Sequence, residues 1–406
     1  MLGFVQNIFS ARVQPIGVDF GSDCLRLAQV QQIGKDFKLV AAASTDVPGN
    51  IRHDANSRLQ FFIHQLPQLL AAAPFRGRQA VLALPAASTH IQHLQLDRMN
   101  DEALKKAVFL EALGKLPIDP ASAVLRHFIV GQINAEQDSK LEVILMAAGR
   151  QWIQQLLIAA AAARLDIVGM NVEPMALVDC FSHIYRRKSD VQMTQCLVDI
   201  GSSGTRATIW RAGHMLFARG IPIGGDQLTA AAATALSIGF EDARTLRIKL
   251  AANLPPPAVK TAVGEARRAS DKAAENAQHA TAQEAPSSCV TTTALARQAC
   301  EVEQACRQVV SALAAQLELC RRDHQTTFPA APVDRLVFVG GEARQRQVCR
   351  EIANQLGLSA QLGDPMCRMG DVKESAIETG IDRRAPQPAW AVAIGLSMGA
   401  YRSAAA

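Results

Sequence analysis

Asp19-Phe20-Gly21-Ser22-Asp23-Cys24-Leu25-Arg26 returns in the second half of the chain as Asp199-Ile200-Gly201-Ser202-Ser203-Gly204-Thr205-Arg206. Asp, Gly, Ser and Arg hold the same offsets in both copies. An apolar run enters each copy, at 16–20 and 196–200, and an extended segment leaves it, at 24–30 and 205–211. One Asp-x-Gly-Ser is an ordinary hairpin turn. Two in matching context indicate one strand–turn–strand device built twice. Gly at such a turn lets the backbone come close to a ligand, and successive N–H groups there form a concave anion site. Ser and Thr hydroxyls add donors. An Asp closing each entering strand can orient water on Mg²⁺, which keeps several of its waters. Two such hairpins facing each other would clamp a polyphosphate between two lobes.

Working outward, Leu336-Val337-Phe338-Val339-Gly340-Gly341 reads as a buried strand ending in a diglycine, with a helix over 342–356 behind it. A plain strand–helix turn would look the same. Its place after both hairpins is what suits a nucleoside-binding turn. Strands are expected at 38–46, 80–84, 90–96, 124–130, 141–147, 214–221 and 335–339. Asp54 is positioned to cap a helix carrying Leu59, Phe62, Ile63 and Leu66, and Asn100 one with Asp101 and Glu102 in its first turn. Further helices are expected from Gly224-Gly225, over 241–250, 295–324 and 388–402, and along the Ala-rich stripe of Trp152, Leu156, Ala160 and Ala163. Residues 255–293 are polar and Ala-rich, with almost no large apolar side chain before Val290. Such a stretch buries too little surface to offset its ordering entropy, so it reads as a mobile insertion.

Composition narrows the function classes. With 406 residues, 49% of them apolar, the chain has material for two domains and a sizeable core. A net charge of +5 and 5% aromatic residues argue against nucleic acid, which calls for a concentrated basic face or stacking platforms. The nine cysteines are scattered with no CxxC pair, which fits free thiols in a reducing cytoplasm. His90 and His93 sit in a strand-like run with too few neighbouring ligands for a metal site. No segment is long and apolar enough to be a transmembrane span. Residues 1–12 are short, mildly amphipathic and unlike a signal peptide.

The order hairpin, Glu-bearing helix, hairpin, diglycine turn and final helix resembles that of the actin and sugar-kinase superfamily. Within it, the chain resembles the PilM family of type IV pilus assembly proteins, on the side shared with FtsA. The resemblance rests on Ile16-Gly17-Val18-Asp19-Phe20-Gly21-Ser22, on Val81-Leu82-Ala83-Leu84-Pro85, and on Asn100-Asp101-Glu102 with Phe109-Leu110-Glu111-Ala112 and Leu116-Pro117. It continues through Asn171-Val172-Glu173-Pro174, Ile223-Gly224-Gly225-Asp226 and Ala389-Trp390-Ala391-Val392. It implies an α/β, actin-like (ribonuclease H-like) duplicated two-lobe fold. The first lobe would be 1–190, with a small inserted α+β subdomain over about 31–150. The second would be 191–406, with the mobile insertion over 255–293. It also implies ATP and Mg²⁺ as cofactors. Asp19 and Asp199 would hold Mg²⁺ through water. Gly21, Ser22, Arg26, Gly201, Ser202, Ser203, Gly204 and Thr205 would hold phosphates. Glu173 would head the helix linking the lobes, and Gly340, Gly341 and Glu342 would face the adenosine. Two departures stand out. Arg26 replaces the family's Lys, a planar fork for a point charge. Ala243-Arg244 and Leu246-Arg247 stand where the family reads Ala-Glu and Leu-Lys.

The function implied is a cytoplasmic scaffold of type IV pilus assembly, peripheral at the inner membrane. It would bind the tail of a PilN-like inner-membrane protein, meet the pilus motor machinery, and be at most a slow ATPase. A short tail peptide would lie in a cleft beside the inserted subdomain, and Phe109, off the helix face that packs on its sheet, reads either as simple core or as left over for that groove. An FtsA-like filament former is the alternative, although the sequence ends Ser403-Ala404-Ala405-Ala406 without an amphipathic helix. A sugar-kinase-type phosphotransferase is the other, although no Asp in the first lobe has a catalytic context.

Overall fold

The computed structural model describes residues 12–134, 139–253, 288–370 and 381–399. The first sheet is built from β1 (Arg12–Val13), β2 (Ile16–Phe20), β3 (Cys24–Ile33), β4 (Asp36–Asp46), β5 (Gln79–Leu84) and β9 (Asp166–Val172). β4 pairs along the whole of β3, so β2 and the short β1 share the other edge of β3. The order is therefore β4-β3-β2-β5-β9. The first three strands run antiparallel, and β5 and β9 join in parallel. The second sheet repeats this plan. β10 (Gln195–Ile200), β11 (Thr205–Arg211), β12 (His214–Ile221), β13 (Arg335–Val339) and β14 (Ser359–Leu362) lie in the order β12-β11-β10-β13-β14. Again the three-strand meander is antiparallel and the last two strands are parallel. The repeat read from eight residues is thus a repeat of whole sheets. β2 and β10 are buried along their full length, as central strands covered on both faces must be.

Between β5 and β9 the chain leaves the first sheet. β6 (Thr89–Asp97), β7 (Ala123–Asn134) and β8 (Ser139–Gly149) form a separate antiparallel sheet in the order β6-β8-β7. The helix α2 (Asp101–Lys115) packs on it through Leu104, Val108 and Ala112. Asn100 caps this helix by accepting from the Ala103 N–H at 2.9 Å. The expected insertion over 31–150 is therefore narrower in the structure, Thr89 to Gly149. Its first part belongs to the main sheet, because β4 pairs with β3, and α1 (Ala55–Ala72) packs with α3 (Arg150–Ala162) on the first sheet's outer face. Asp54 caps α1 as expected, accepting from the Ser57 N–H at 2.7 Å.

The helix α4 (Glu173–Ile184) follows β9 directly, and the short α5 (Lys188–Gln192) leads into β10. The last described helix, α10 (Ala391–Met398), packs closely on both β2 and α4. A Cβ on Gly17 would stand 2.0 Å from the Ala393 carbonyl oxygen, and one on Gly395 1.9 Å from that of Ala176. Ser397 Oγ donates to the Pro15 carbonyl at 2.7 Å and accepts from the Val30 N–H at 3.0 Å. The core of α4, α10, β10 and β13 is therefore continuous with the first sheet.

Several elements differ from expectation. β9, β14 and β1 were not foreseen. All three are short or half-exposed edge segments with no clean alternation. The helix expected over 342–356 is broken at Gln345 into a 3-10 turn, Gly341–Arg344, and α9 (Arg346–Leu356). α6 (Gly225–Leu236) and α7 (Phe240–Asn253) form as expected, whereas α8 (Ser288–Thr327) starts earlier. The insertion expected to be mobile lies outside the described residues, apart from 288–293 in the first turns of α8. By packing, the chain divides into two compact units, Met1–Leu228 with Gln308–Ala406, and Thr229–Arg307. The first holds all three sheets. In the second, Arg247 is buried and donates through Nη1 to Thr229 Oγ1 at 2.7 Å.

Candidate functional site

Each hairpin places its Asp and its Arg opposite one another. Asp19 on β2 faces Arg26 on β3, and Asp199 on β10 faces Arg206 on β11. The carboxylate–guanidinium distances are 4.0 Å in the first pair and 3.7 Å in the second. In both, the guanidinium lies over the turn glycine. A Cβ on Gly21 would be 3.6 Å from Arg26 Nη1, and one on Gly201 3.1 Å from Arg206 Nη1. The matched Asp, Gly and Arg are therefore one packed unit, and this is why their spacing repeats. The copies differ in one respect. Glu173, the first residue of α4, is delivered by β9 to Arg206 and accepts from its Nε.

The diglycine turn after β13 forms a third wall. Gly340 has φ +88°, and a Cβ there would stand 2.4 Å from Asp199 Oδ1. Its N–H donates to the Pro388 carbonyl at 3.1 Å. That bond brings Pro388, Ala389, Ala391 and Val392 to the rim. The result is a cleft walled by the two hairpin turns, the diglycine turn and the start of α10.

Its electrostatics are unbalanced. Four lining carboxylates, Asp19, Asp23, Glu173 and Asp199, face two guanidiniums, Arg26 and Arg206. Burial pushes Asp19 up to about 7, against the pull of Arg26 and with help from Glu173 and Asp199. Burial raises Asp199 too, against Arg206. Arg206 is held above the ordinary guanidinium range. Burial opposes this, but the charges of Glu173 and Asp199 outweigh it. Carboxylates crowded in this way favour a divalent cation, and the arginine forks favour an oxyanion.

The cleft brings together Asp19, Gly21, Ser22, Arg26, Glu173, Asp199, Gly201, Ser202, Gly340 and Gly341. Four expected site residues do not line it. Ser203 is exposed. Gly204 turns its carbonyl to the Gly201 N–H at 2.9 Å and to Arg206 Nη1 at 3.2 Å. The Thr205 hydroxyl is used locally, donating to the Ile223 carbonyl at 2.6 Å. Glu342 lies against the start of α6, where a Cβ on Gly225 would meet its carboxylate. Ser202 lines the cleft, but its hydroxyl donates to Asp226 Oδ1 at 2.7 Å and its carbonyl accepts from the Asp226 N–H at 2.9 Å, leaving its own N–H for a ligand. Sequence reasoning missed Asp23, Arg206 and the Pro388–Val392 rim. Arg206 was visible as the partner of Arg26 in the repeat. The rim was not, since only tertiary packing brings it there.

A sequence model for the type IV pilus assembly protein PilM matches residues 17–261, more than half of the chain and including both hairpins. The chain belongs to the PilM family. A model for the cell division protein FtsA matches residues 196–395, the second repeat and the start of α10. Among solved structures, the PilM fold is matched by a chain of the PilM-PilN type IV pilus biogenesis complex. The TM-score is 0.69 at 20% identity, over 95% of this chain and 98% of that one. The ethanolamine utilization protein EutJ from Carboxydothermus hydrogenoformans matches with a TM-score of 0.50 at 15% identity, over 97% and 91%. These likenesses agree with the duplicated sheets: the fold is the actin-like, two-lobe one that the resemblance implied.

Proposed function

We propose that this PilM-family chain is an actin-like, nucleotide-binding scaffold of type IV pilus assembly that holds the tail of a PilN-like inner-membrane protein. One observation carries the reading: the likeness to a chain of the PilM-PilN complex runs end to end, and so takes in both repeats and the insertion. We take 1–190 and 191–406 as the lobes whose closure the nucleotide sets. No helix among the described residues is long and apolar enough to cross a membrane. In this reading the chain works from the cytoplasm, and the partner's tail brings it to the inner membrane.

The cleft residues fit ATP with Mg²⁺. The excess of carboxylate, marked by the raised pKa of Asp19, is what a divalent cation offsets. Asp19 and Asp199 would hold the ion through its waters, which suits a cation that dehydrates reluctantly. Gly21, Ser22, Arg26, Gly201 and Ser202 would take the phosphates, with Gly340 and Gly341 toward the nucleoside. Bound Mg²⁺ would supply the charge that lets a polyphosphate enter a net-acidic cleft. No carboxylate of the cleft stands out as a water-positioning residue, and Arg244 stands where the family reads an acid. Turnover should therefore fall well below the roughly 10 s⁻¹ of common enzymes.

The test is capture of the full-length chain by the cytoplasmic tail of the PilN-like protein. Affinity should be modest, about micromolar, because ordering a tail costs free energy. No binding at a hundredfold higher concentration would end the scaffold reading. Phe109 is 39% exposed on α2 beside Leu110 and Leu113, so it is not core. Undiminished capture by Phe109→Ala would move the tail away from this helix.

A further inference from the structure

Arg206 is unassigned in the reading above, yet it is the counterpart of Arg26 in every respect the fold can impose. It stands across from its Asp, it lies over its turn glycine, and it lines the same cleft. The two side chains are equally accessible, 15% and 14% exposed. Their partners differ. Arg26 has Asp19 at 4.0 Å, beyond hydrogen-bond reach. Arg206 gives Nε to Glu173 and Nη1 to the Gly204 carbonyl, and no described residue accepts from its Nη2.

We propose that Arg206 is the phosphate-reading residue of the second hairpin, and that Glu173 competes with the terminal phosphate of a nucleoside triphosphate for its guanidinium. This rests on the nucleotide reading of the cleft. A guanidinium presents five donors in a fixed fork. Shifting the fork from the Glu173 carboxylate to a phosphate, with Asp199 still alongside, exchanges one charge-assisted hydrogen bond for a more highly charged, bidentate one. Glu173 is fixed by its place at the head of α4, directly after β9, so the flexible guanidinium is the partner that moves. With one arginine on each hairpin, the cleft rewards a phosphate chain long enough to touch both. Triphosphate is thereby preferred over diphosphate, and the preference resides in Arg206.

The experiment is calorimetry with Mg²⁺-ATP and Mg²⁺-ADP on the full chain, its Glu173→Gln, Arg206→Lys and Asp23→Asn variants, each checked for native circular dichroism. Asp23→Asn removes the same single negative charge from the lining without touching Arg206, and so reports the general charge effect. Glu173→Gln should tighten ATP about tenfold, the worth of one charge-assisted hydrogen bond, and clearly more than Asp23→Asn does. Arg206→Lys keeps the charge but loses the fork. It should weaken ATP about tenfold with a smaller effect on ADP. Glu173→Gln that binds ATP no better than Asp23→Asn overturns the competition. Arg206→Lys with wild-type affinity for ATP overturns the assignment of Arg206. A wild-type chain that binds neither nucleotide removes the nucleotide reading itself, and this proposal with it.

Discussion

His93 of β6 is held through both ring nitrogens: Nδ1 lies 3.2 Å from Glu142 Oε1, and Nε2 lies 3.1 Å from the carbonyl oxygen of Ala218 on β12. Its ring also stacks on Phe217 at 4.5 Å. A residue of the inserted sheet is thus fastened to the outer strand of the second repeat. Glu142 is buried, and its Oε2 already lacks a partner. His93→Ala would strip Oε1 of its partner as well. The loss should be about 2 kcal/mol or more, read as a lowered melting temperature. Glu142→Leu in the same background should recover part of it, since the orphaned carboxylate is then gone. A His93→Ala protein as stable as wild type would refute the fastening.

His324 on α8 is fully buried with neither ring nitrogen partnered. Burial, and then the charge of His93, lower its pKa from 6.5 to about 4. The folded chain therefore keeps it neutral while the unfolded chain protonates near 6.5. Stability is lost as pH falls from 6.5 toward 4, with no further loss below. The full effect is on the order of 3 kcal/mol. His324→Leu should flatten this acid limb in thermal melts between pH 4 and 7. An unchanged limb would show that other groups set it.

Asp19 titrates with the opposite consequence. Its pKa is about 7 in the fold against 3.8 ordinarily, so the folded state holds a proton that the unfolded state has released. Stability falls as pH rises from about 4 to about 7, then levels. Asp19→Asn should match wild type near pH 4 and melt higher at pH 8, while losing Mg²⁺-dependent nucleotide binding. Equal pH slopes for the two proteins would contradict this.

Gly395→Val tests the seat of α10. Its Cβ would fall 1.9 Å from the Ala176 carbonyl, backbone that cannot step aside. Overpacking typically costs about 1–3 kcal/mol and occasionally more, and with rigid backbone in the way the variant should fall at the upper end and be recovered in the insoluble fraction. A soluble Gly395→Val with a native melt would mean that the helix sits farther from α4.

The hairpins were legible because their functional groups are contiguous in sequence and doubled. Asp19, Gly21 and Arg26 repeat as Asp199, Gly201 and Arg206 with identical spacing, and the fold turns that spacing into two packing units of the same plan. Thr205 and Glu342 were assigned to the ligand because a motif names residue types but not where their side chains are used. Ile223 takes the hydroxyl of one, and the start of α6 meets the carboxylate of the other. Pro388 to Val392 reach the rim only through the bond between Gly340 and Pro388. No local pattern records a contact of that kind. The missed strands β9 and β14 carry little alternation because they lie at sheet edges, where one flank needs no apolar side chain.

Ser397 has a consequence for how the protein is made. Its hydroxyl serves Val30 and Pro15, partners 367 and 382 positions earlier in the chain. Synthesis delivers the N-terminal strands first, at about 5–20 residues per second. The first sheet therefore leaves the ribosome long before the helix that covers β2 exists. For that interval the face of β2 and β3 on which α10 packs stays uncovered. That face is covered only when α10, nearly 400 residues into synthesis, reaches it.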